Sequence, residues 1–355
     1  MVLRSSFDRM SKKHGCLLAL VIFLLFISLA FNLGQFAMIS GSSQVSAALS
    51  IAAKPTPKLR EHLLETAKNH ATAKIVQIDL EGIISSFSTE GLFSEAMPSI
   101  EHLKRQLEQA TADSEVKAIV LRINSPGGEV TASDVLYHAV KKASGVKPVV
   151  VHMDSVAASG GYYVACGASQ IIASETTLTG SIGVIMESIN YADLFGKVGL
   201  SMNTFTSGAF KDSLSGARPM RDDEKAYIQN LVLQMYDRFL GIVSEARRQP
   251  KELLKSTVAD GRVVTAREAL AAKLVDQIGY IEDARVLARE LGKAPGAAVV
   301  RYKQEHHFLD ALGLVEAALS TGKAASKMEL NLGGSAALPR LQPGIPYYLS
   351  SSYAR

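Results

Sequence analysis

Val149-Val150-Val151-His152-Met153-Asp154-Ser155-Val156-Ala157-Ala158-Ser159-Gly160-Gly161-Tyr162-Tyr163-Val164-Ala165 carries the reading of this chain. An apolar strand runs through small residues, past Ser159 and two glycines, into a segment that reads as a buried helix. A hydroxyl held there meets backbone N–H groups that the first helical turn leaves unbonded, and the helix dipole favours negative charge. That is the place for a serine nucleophile. It is equally the place for an inert N-cap serine, so Ser159 needs a partner before the two readings separate.

Strands and helices alternate on both sides of this stretch. Residues 74–80 alternate and are rich in β-branched side chains, which predicts a strand. Residues 94–110 read as a helix with Ile100, Leu103 and Leu107 on one face. Residues 118–124 are a second strand, broken by Ser125-Pro126-Gly127-Gly128, and residues 130–143 a second helix. Further on come a strand at 170–173, a strand at 202–206, a long helix at 222–248, a helix at 281–291 and a strand at 298–302. Residues 60–71 have the pattern of a short amphipathic helix. The alternation predicts an α/β fold with buried, largely parallel strands.

Composition narrows the class. The chain has 355 residues, 47% hydrophobic and 20% charged, which is a globular balance rather than a disordered or disulfide-dense one. The net charge of +4 comes partly from the first thirteen residues, and no aromatic residues interleave with Lys and Arg. Nucleic acid is therefore not an expected partner. Two cysteines, Cys16 and Cys166, cannot build a structural zinc site, and no metal or other cofactor is expected.

The amino end reads as a membrane anchor. Arg4, Arg9, Lys12 and Lys13 precede a charge-free run, and residues 16–31 are nearly all large and apolar. As a helix that run spans about 24 Å, and residues 33–39 can lengthen it. A secretory signal has a shorter apolar core and a nearby small-x-small site, whereas Ala47-Ala48 is distant. A buried core helix is disfavoured because the run is apolar on every face. The organisation expected is a basic cytoplasmic segment at 1–14, a transmembrane anchor at 15–39, a tether with the short helix at 40–73, a catalytic domain at 74–303 and a carboxyl extension at 304–355 with a mobile tail. Positive charge before the anchor predicts a cytoplasmic amino end and an extracytoplasmic remainder.

A serine nucleophile needs a base. None of the eight histidines lies in a loop suited to that role; His152 sits within the strand that leads to Ser159. A Gly-x-Ser-x-Gly elbow is absent, because Ala157 stands where its first glycine would be. Lys211, in Ser207-Gly208-Ala209-Phe210-Lys211-Asp212, is the other candidate. A lysine base must be neutral near pH 7–8, which requires a pKa about 3 units below its reference of about 10.4. Burial beside apolar groups can supply that. From spacing alone, a solvated surface lysine is the commoner case.

Five blocks in order resemble the S49 family of serine peptidases. They are Asn124-Ser125-Pro126-Gly127-Gly128, the Ala157 to Tyr163 run, Leu178-Thr179-Gly180-Ser181-Ile182-Gly183-Val184, Ser207 to Asp212, and Asp260-Gly261-Arg262-Val263. The resemblance covers residues 74–289. It implies Ser159 as nucleophile, Lys211 as general base and Ser181 as the hydroxyl that orients the lysine. It implies an oxyanion hole from the Gly160 N–H and one of the Gly127-Gly128 pair, with Gly128 favoured. The implied fold is the Clp protease/crotonase-like spiral of ββα units, here preceded by one transmembrane helix. Also implied are a homo-oligomeric ring, in which neighbouring subunits can share the dyad, and peptide substrates: released signal peptides and other unfolded apolar polypeptides.

Two other readings stand beside this one. The first is a non-catalytic membrane scaffold on the same fold. The second is a crotonase-like acyl-CoA enzyme, for which Glu129, just past Gly128, is the nearest carboxylate. In the tail, Ala336-Ala337-Leu338 resembles a substrate that the enzyme could bind or trim.

Overall fold

Apolar strands buried on both faces have to lie inside a sheet that is covered on both sides. The computed structural model describes residues 58–68, 71–86, 100–303 and 347–349. In chain order its elements are β1 (Arg60–Glu65), β2 (Lys74–Glu81), α1 (Ile100–Ala112), β3 (Val116–Ser125), β4 (Gly127–Glu129), α2 (Val130–Ser144), β5 (Val149–Ala158) and α3 (Gly160–Ala165). There follow β6 (Gln170–Ala173), β7 (Leu178–Gly180), α4 (Ala192–Lys197), α5 (Asp222–Arg247), α6 (Lys251–Thr257), β8 (Val263–Thr265) and α7 (Ala266–Ala271). The last are β9 (Gln277–Ile278), α8 (Ile281–Leu291), β10 (Ala298–Lys303) and β11 (Tyr347–Leu349).

The main sheet runs β1-β10-β2-β3-β5-β6-β9, with β7 beside the far end of β5 and β8 beside β7. Pairing is parallel from β10 through β9 and between β5 and β7. It is antiparallel at β1–β10 and β7–β8, so the sheet is mixed. Period-two alternation sorts each strand between two apolar layers. Ile119, Leu121 and Ile123 of β3, with Val149, Val151 and Met153 of β5, pack with Leu103, Leu107, Leu136 and Val140 of α1 and α2. Ala118, Val120 and Val150 face the other way, toward Ala284 and Ala288 of α8. The expected α/β class, with largely parallel buried strands, is what forms.

Two local expectations are corrected. Residues 60–65 are not helical: they form β1, paired antiparallel with β10 from Arg60 opposite Lys303 to Glu65 opposite Val299. β10 would otherwise present an open edge, and pairing its backbone outweighs local helix preference. Glu65 then accepts from Arg285 (2.7 Å) and Arg289 (2.5 Å), which ties β1 to α8. Residues 202–206 form no strand; they are exposed and pair with no strand among the described residues. Alternation without a neighbouring edge does not make a strand. The anchor (15–39), its basic flank and residues 304–346 lie outside the described residues, and no described helix is long and apolar enough to cross a membrane.

β5 is central and ends at the C-terminal edge of the parallel sheet, where open α/β sheets place their sites. α3 follows at once and is wholly buried. Its Tyr163 ring packs edge-on to Tyr137 (5.5 Å between centroids) and against Phe239 of α5 (4.9 Å). Its Tyr162 hydroxyl donates to the Leu274 carbonyl at 2.8 Å. Burial pushes that phenol well above its usual pKa, so it remains a donor. Tyr162→Phe removes the donor and leaves a buried carbonyl short of a partner, at a cost of about 1–3 kcal/mol. Urea unfolding is expected to show a lower midpoint with an unchanged slope.

Candidate active site

Ser159 follows the last residue of β5 with φ 53° and ψ −116°, a conformation that a residue with a Cβ adopts only when its surroundings enforce it. Its N–H donates to the Gly180 carbonyl (2.8 Å) and its carbonyl accepts from the Tyr163 N–H (2.8 Å). The side chain is fully buried and its Oγ has no hydrogen-bond partner. No side-chain bond caps α3, so the N-cap reading of this hydroxyl is not the one the geometry takes. A buried, unpaired hydroxyl is uncommon in a folded protein and singles this residue out.

Two glycine backbones close on this residue. A Cβ on Gly160 would lie 2.4 Å from Ser133 Oγ and 3.1 Å from the Gly128 nitrogen. A Cβ on Gly128 would lie 1.9 Å from the Ile84 carbonyl oxygen. At Gly128 the clash is with backbone and glycine alone fits; at Gly160 a Cβ would first displace the Ser133 hydroxyl. Ile84 pairs with β4 on one side: the Ile84 N–H donates to Gly127 (2.9 Å) and the Glu129 N–H to Ile84 (2.8 Å). Strand alternation then turns the N–H and C=O of Gly128 to the opposite edge. The Gly127 N–H is already used on Ser125 Oγ (3.2 Å).

The edge that Gly128 faces is occupied. β11 pairs with β4 antiparallel, placing Tyr348 opposite Gly128 and Leu349 opposite Gly127. The tail expected to be mobile thus contributes a strand on the candidate oxyanion edge, and this was missed in the sequence. The available signal was a Tyr-Tyr-Leu triplet just after Pro346. Ala336-Ala337-Leu338 lies outside the described residues.

Ser181 stands next to this centre. β5 and β7 pair with Ala158 opposite Gly180, so Ser159 and Ser181 each take the next position at the ends of neighbouring parallel strands. Ser181 also has positive φ (49°), is nearly buried, and donates its N–H to the Arg262 carbonyl (2.8 Å). Arg262 is held in turn by Asp260, whose carboxyl the bonds from Arg262 pull down to about 2. The Asp260-Gly261-Arg262 block therefore backs the Ser181 turn.

Lys211 is exposed and not hydrogen-bonded to Ser159. It sits in a turn between α4 and α5, its N–H donating to the Gly208 carbonyl (3.0 Å). With Ser159 Oγ unpartnered, no hydrogen bond joins the two residues within one chain. His152 is also excluded as the base. It is buried within β5, where desolvation lowers its pKa, and its Nε2 meets Ser174 Oγ at 3.1 Å, while Ser159 Oγ has no hydrogen-bond partner. Glu129 spends its carboxylate on Ser85 Oγ (2.6 Å) and the Ser86 N–H (3.1 Å), which leaves it a structural tie and not a free base for acyl-CoA chemistry.

The chain has relatives among known proteins. A model of "Peptidase family S49" matches residues 141–294, and a model of "Clp protease" matches residues 96–177. The chain is 36% identical over 246 residues to the Enterococcus faecium protein named "Putative signal peptide peptidase SppA", covering 69% of this chain and 70% of that one. It is 31% identical over 273 residues to "Protease 4" of Haemophilus influenzae, covering 76% of this chain and 43% of that one. It is 33% identical over 196 residues to "Serine protease SPPA, chloroplastic" of Arabidopsis thaliana, covering 55% and 29%.

Gly128→Ala tests the packing directly. The added methyl cannot coexist with the Ile84 carbonyl, so the strap at 84–86 must leave β4. Amide hydrogen exchange at Ile84 and Glu129 is expected to accelerate by roughly tenfold or more, with the amides of β5 unchanged.

Proposed function

The chain belongs to peptidase family S49, with a Clp protease-like α/β fold, and from that premise we propose a membrane-anchored serine endopeptidase whose Ser159–Lys211 dyad is completed between copies of the chain. The observation that carries this reading is the Ser159 hydroxyl: strained, buried, without a partner, and beside the backbones of Gly160 and Gly128. Ser159 attacks a peptide carbonyl. Lys211 takes its proton and returns it to the leaving amine. Ser181 fixes the direction of the lysine's lone pair. The N–H groups of Gly160 and Gly128 receive the oxyanion, Gly128 being preferred because the Gly127 N–H is already bonded.

Exposed apolar surface supports a lysine supplied by a neighbouring copy. α4 buries none of its residues, and Leu194, Val198, Leu200, Met202 and Phe205 nearby are exposed, Phe205 at 96%. A cavity of about 870 Å³ opens beside this arm, lined by Val184, Met186, Ile189, Leu214 and Ile228 among others. A surface of this kind calls for a partner. A second copy covering it would carry the arm, and Lys211 with it, onto a neighbour, and would strip water from the amine as a neutral lysine requires. Repetition of this head-to-tail contact builds a ring.

Substrates are extended peptides that add a strand to the edge of β4. Support comes from β11, which lies on that edge as an antiparallel strand. Released signal peptides and other unfolded apolar polypeptides are the substrate class, as the name of the E. faecium relative suggests for that protein. The charge-free run at 16–31, preceded by four basic residues, supports a single-pass anchor with the catalytic domain outside the cytoplasm.

Hydrolysis of a peptide amide tests the dyad. Ser159→Ala and Lys211→Ala should each lose about a thousandfold or more in kcat with folding intact. Mixing the two inactive proteins, dissociated and reassembled, should restore part of the activity if neighbours share the dyad; a dead mixture assigns each serine its own lysine. Full activity in either single variant removes the dyad. Deleting residues 347–355 should raise kcat/KM for peptides by opening the β4 edge, and an unchanged value would show that the tail is no competitor.

A further inference from the structure

The residues on either side of Lys211 are fastened to the start of α5. Arg218 donates Nε and Nη2 to the two carboxylate oxygens of Asp212, each at 2.8 Å. The same guanidinium gives Nη1 to Glu224 Oε2 at 2.8 Å and Nη2 to Oε1 at 2.5 Å. Glu224, shielded from solvent, also accepts from the Arg221 N–H (2.9 Å). Arg221 Nη2 reaches back to the Ala209 carbonyl (2.8 Å), and its guanidinium lies 5.7 Å from the Phe210 ring centre. Phe210 packs on Tyr227 at 5.3 Å. Ala209, Phe210 and Asp212 are thus anchored, and Lys211 projects from between them into solvent.

Chemistry gives this clamp a purpose beyond rigidity. A free carboxylate one residue from a lysine favours the ammonium, the wrong state for a base. A planar fork can take both oxygens of Asp212 and still reach Glu224; a lysine in its place cannot. We propose that Arg218 is a positioning residue for Lys211: it fixes the turn that presents the amine and keeps the Asp212 carboxylate from pairing with it, a role that rests on the Ser159–Lys211 dyad proposed above. The remaining charges at this end of α5 are matched elsewhere. Arg221 bridges Asp223 and Glu224, and Asp222 pairs with Lys225.

The clamp keeps its charge through the working pH range. Hydrogen bonds from Arg218 hold the Asp212 carboxyl below its usual range and the Glu224 carboxyl down to about 2. With folded pKa values depressed, the contribution of these carboxylates is present above the ordinary carboxylate range and, for Glu224, lost as pH falls through about 2. A limb of the rate profile near neutral pH therefore belongs to another group.

The test is kcat and KM against pH for a peptide amide, using the full-length protein. Arg218→Gln and Arg218→Lys are expected to lose about tenfold or more in kcat with KM within about threefold, as misplacement of a catalytic group does. The ascending limb of kcat/KM, which reports the base in the free enzyme, should move upward by about one unit as Asp212 is released. Arg218→Gln/Asp212→Asn should return the limb to its wild-type position while kcat stays low. A purely structural role would lower activity without moving the limb, and that result overturns the proposal. If Arg218→Gln fails to fold, Arg218→Lys carries the same test: a lowered kcat with an upward limb shift supports the clamp, and an unmoved limb overturns it. Failure of the dyad is separate, since it requires Lys211→Ala to be active. A dead Lys211→Ala beside a normal Arg218→Gln profile sinks this inference alone.

Discussion

Three backbones meet at Gly128, Gly160 and Ile84 with no room for a Cβ on either glycine, and the rest of the site depends on that crowding. It brings the backbone of β4 against the first residue of α3, directly after Ser159, with only the Ser133 hydroxyl packed beside them. The same closeness excludes water, so hydrogen bonds formed there are worth more than at a surface. Ser159 is held at positive φ against a strain of about 1–3 kcal/mol. That strain persists because β5 is clamped by β3, β6 and β7, and because α3 is fixed by Tyr162 on Leu274 and Tyr163 between Tyr137 and Phe239. The core of the sheet exists, in functional terms, to hold one residue in an unfavourable conformation.

The arm from 189 to 211 obeys the opposite rule. Many of its apolar residues lie outside, its one short helix buries nothing, and charged ties at its end add to the ring contacts of Tyr191 with Phe195 and Phe210 with Tyr227. Arg218 and Arg221 secure that end to α5 by geometry that survives exposure to solvent, which apolar contacts would not provide. The surroundings of Ser159 and of Lys211 are therefore built differently: close backbone packing for one, ion pairs beside ring contacts for the other.

Legibility in the sequence follows the same division. β3, β5 and α8 could be read because burial on fixed faces imposes a period, and the period is visible in Val149-Val150-Val151 and in the spacing of the helix. Ser159, Gly160 and Gly128 could be singled out because small residues crowd only where backbones approach. β1 was misread because what makes residues 60–65 a strand is the open edge of β10, more than two hundred residues away. Residues 202–206 were misread for the mirror reason: their alternation has no edge to join. The pairing of Tyr348 opposite Gly128 was invisible because three residues carry no period at all. Arg218 was overlooked because an ion pair six residues long leaves no pattern distinct from ordinary surface charge.

The unpartnered hydroxyl links these two surroundings energetically. Left buried without a hydrogen bond, Ser159 Oγ costs the protomer on the order of 1–3 kcal/mol. A neighbour's Lys211 engaging that hydroxyl would return this energy while its arm buried the exposed apolar residues. In the proposed dyad, assembly and activation would draw on one contact: the interaction that satisfies the orphaned hydroxyl would also supply the base. A protomer alone would hold a shaped oxyanion site and a poised serine with nothing to take its proton. With the proposed shared dyad, hydrolysis would depend on contact between copies rather than on folding of the chain alone.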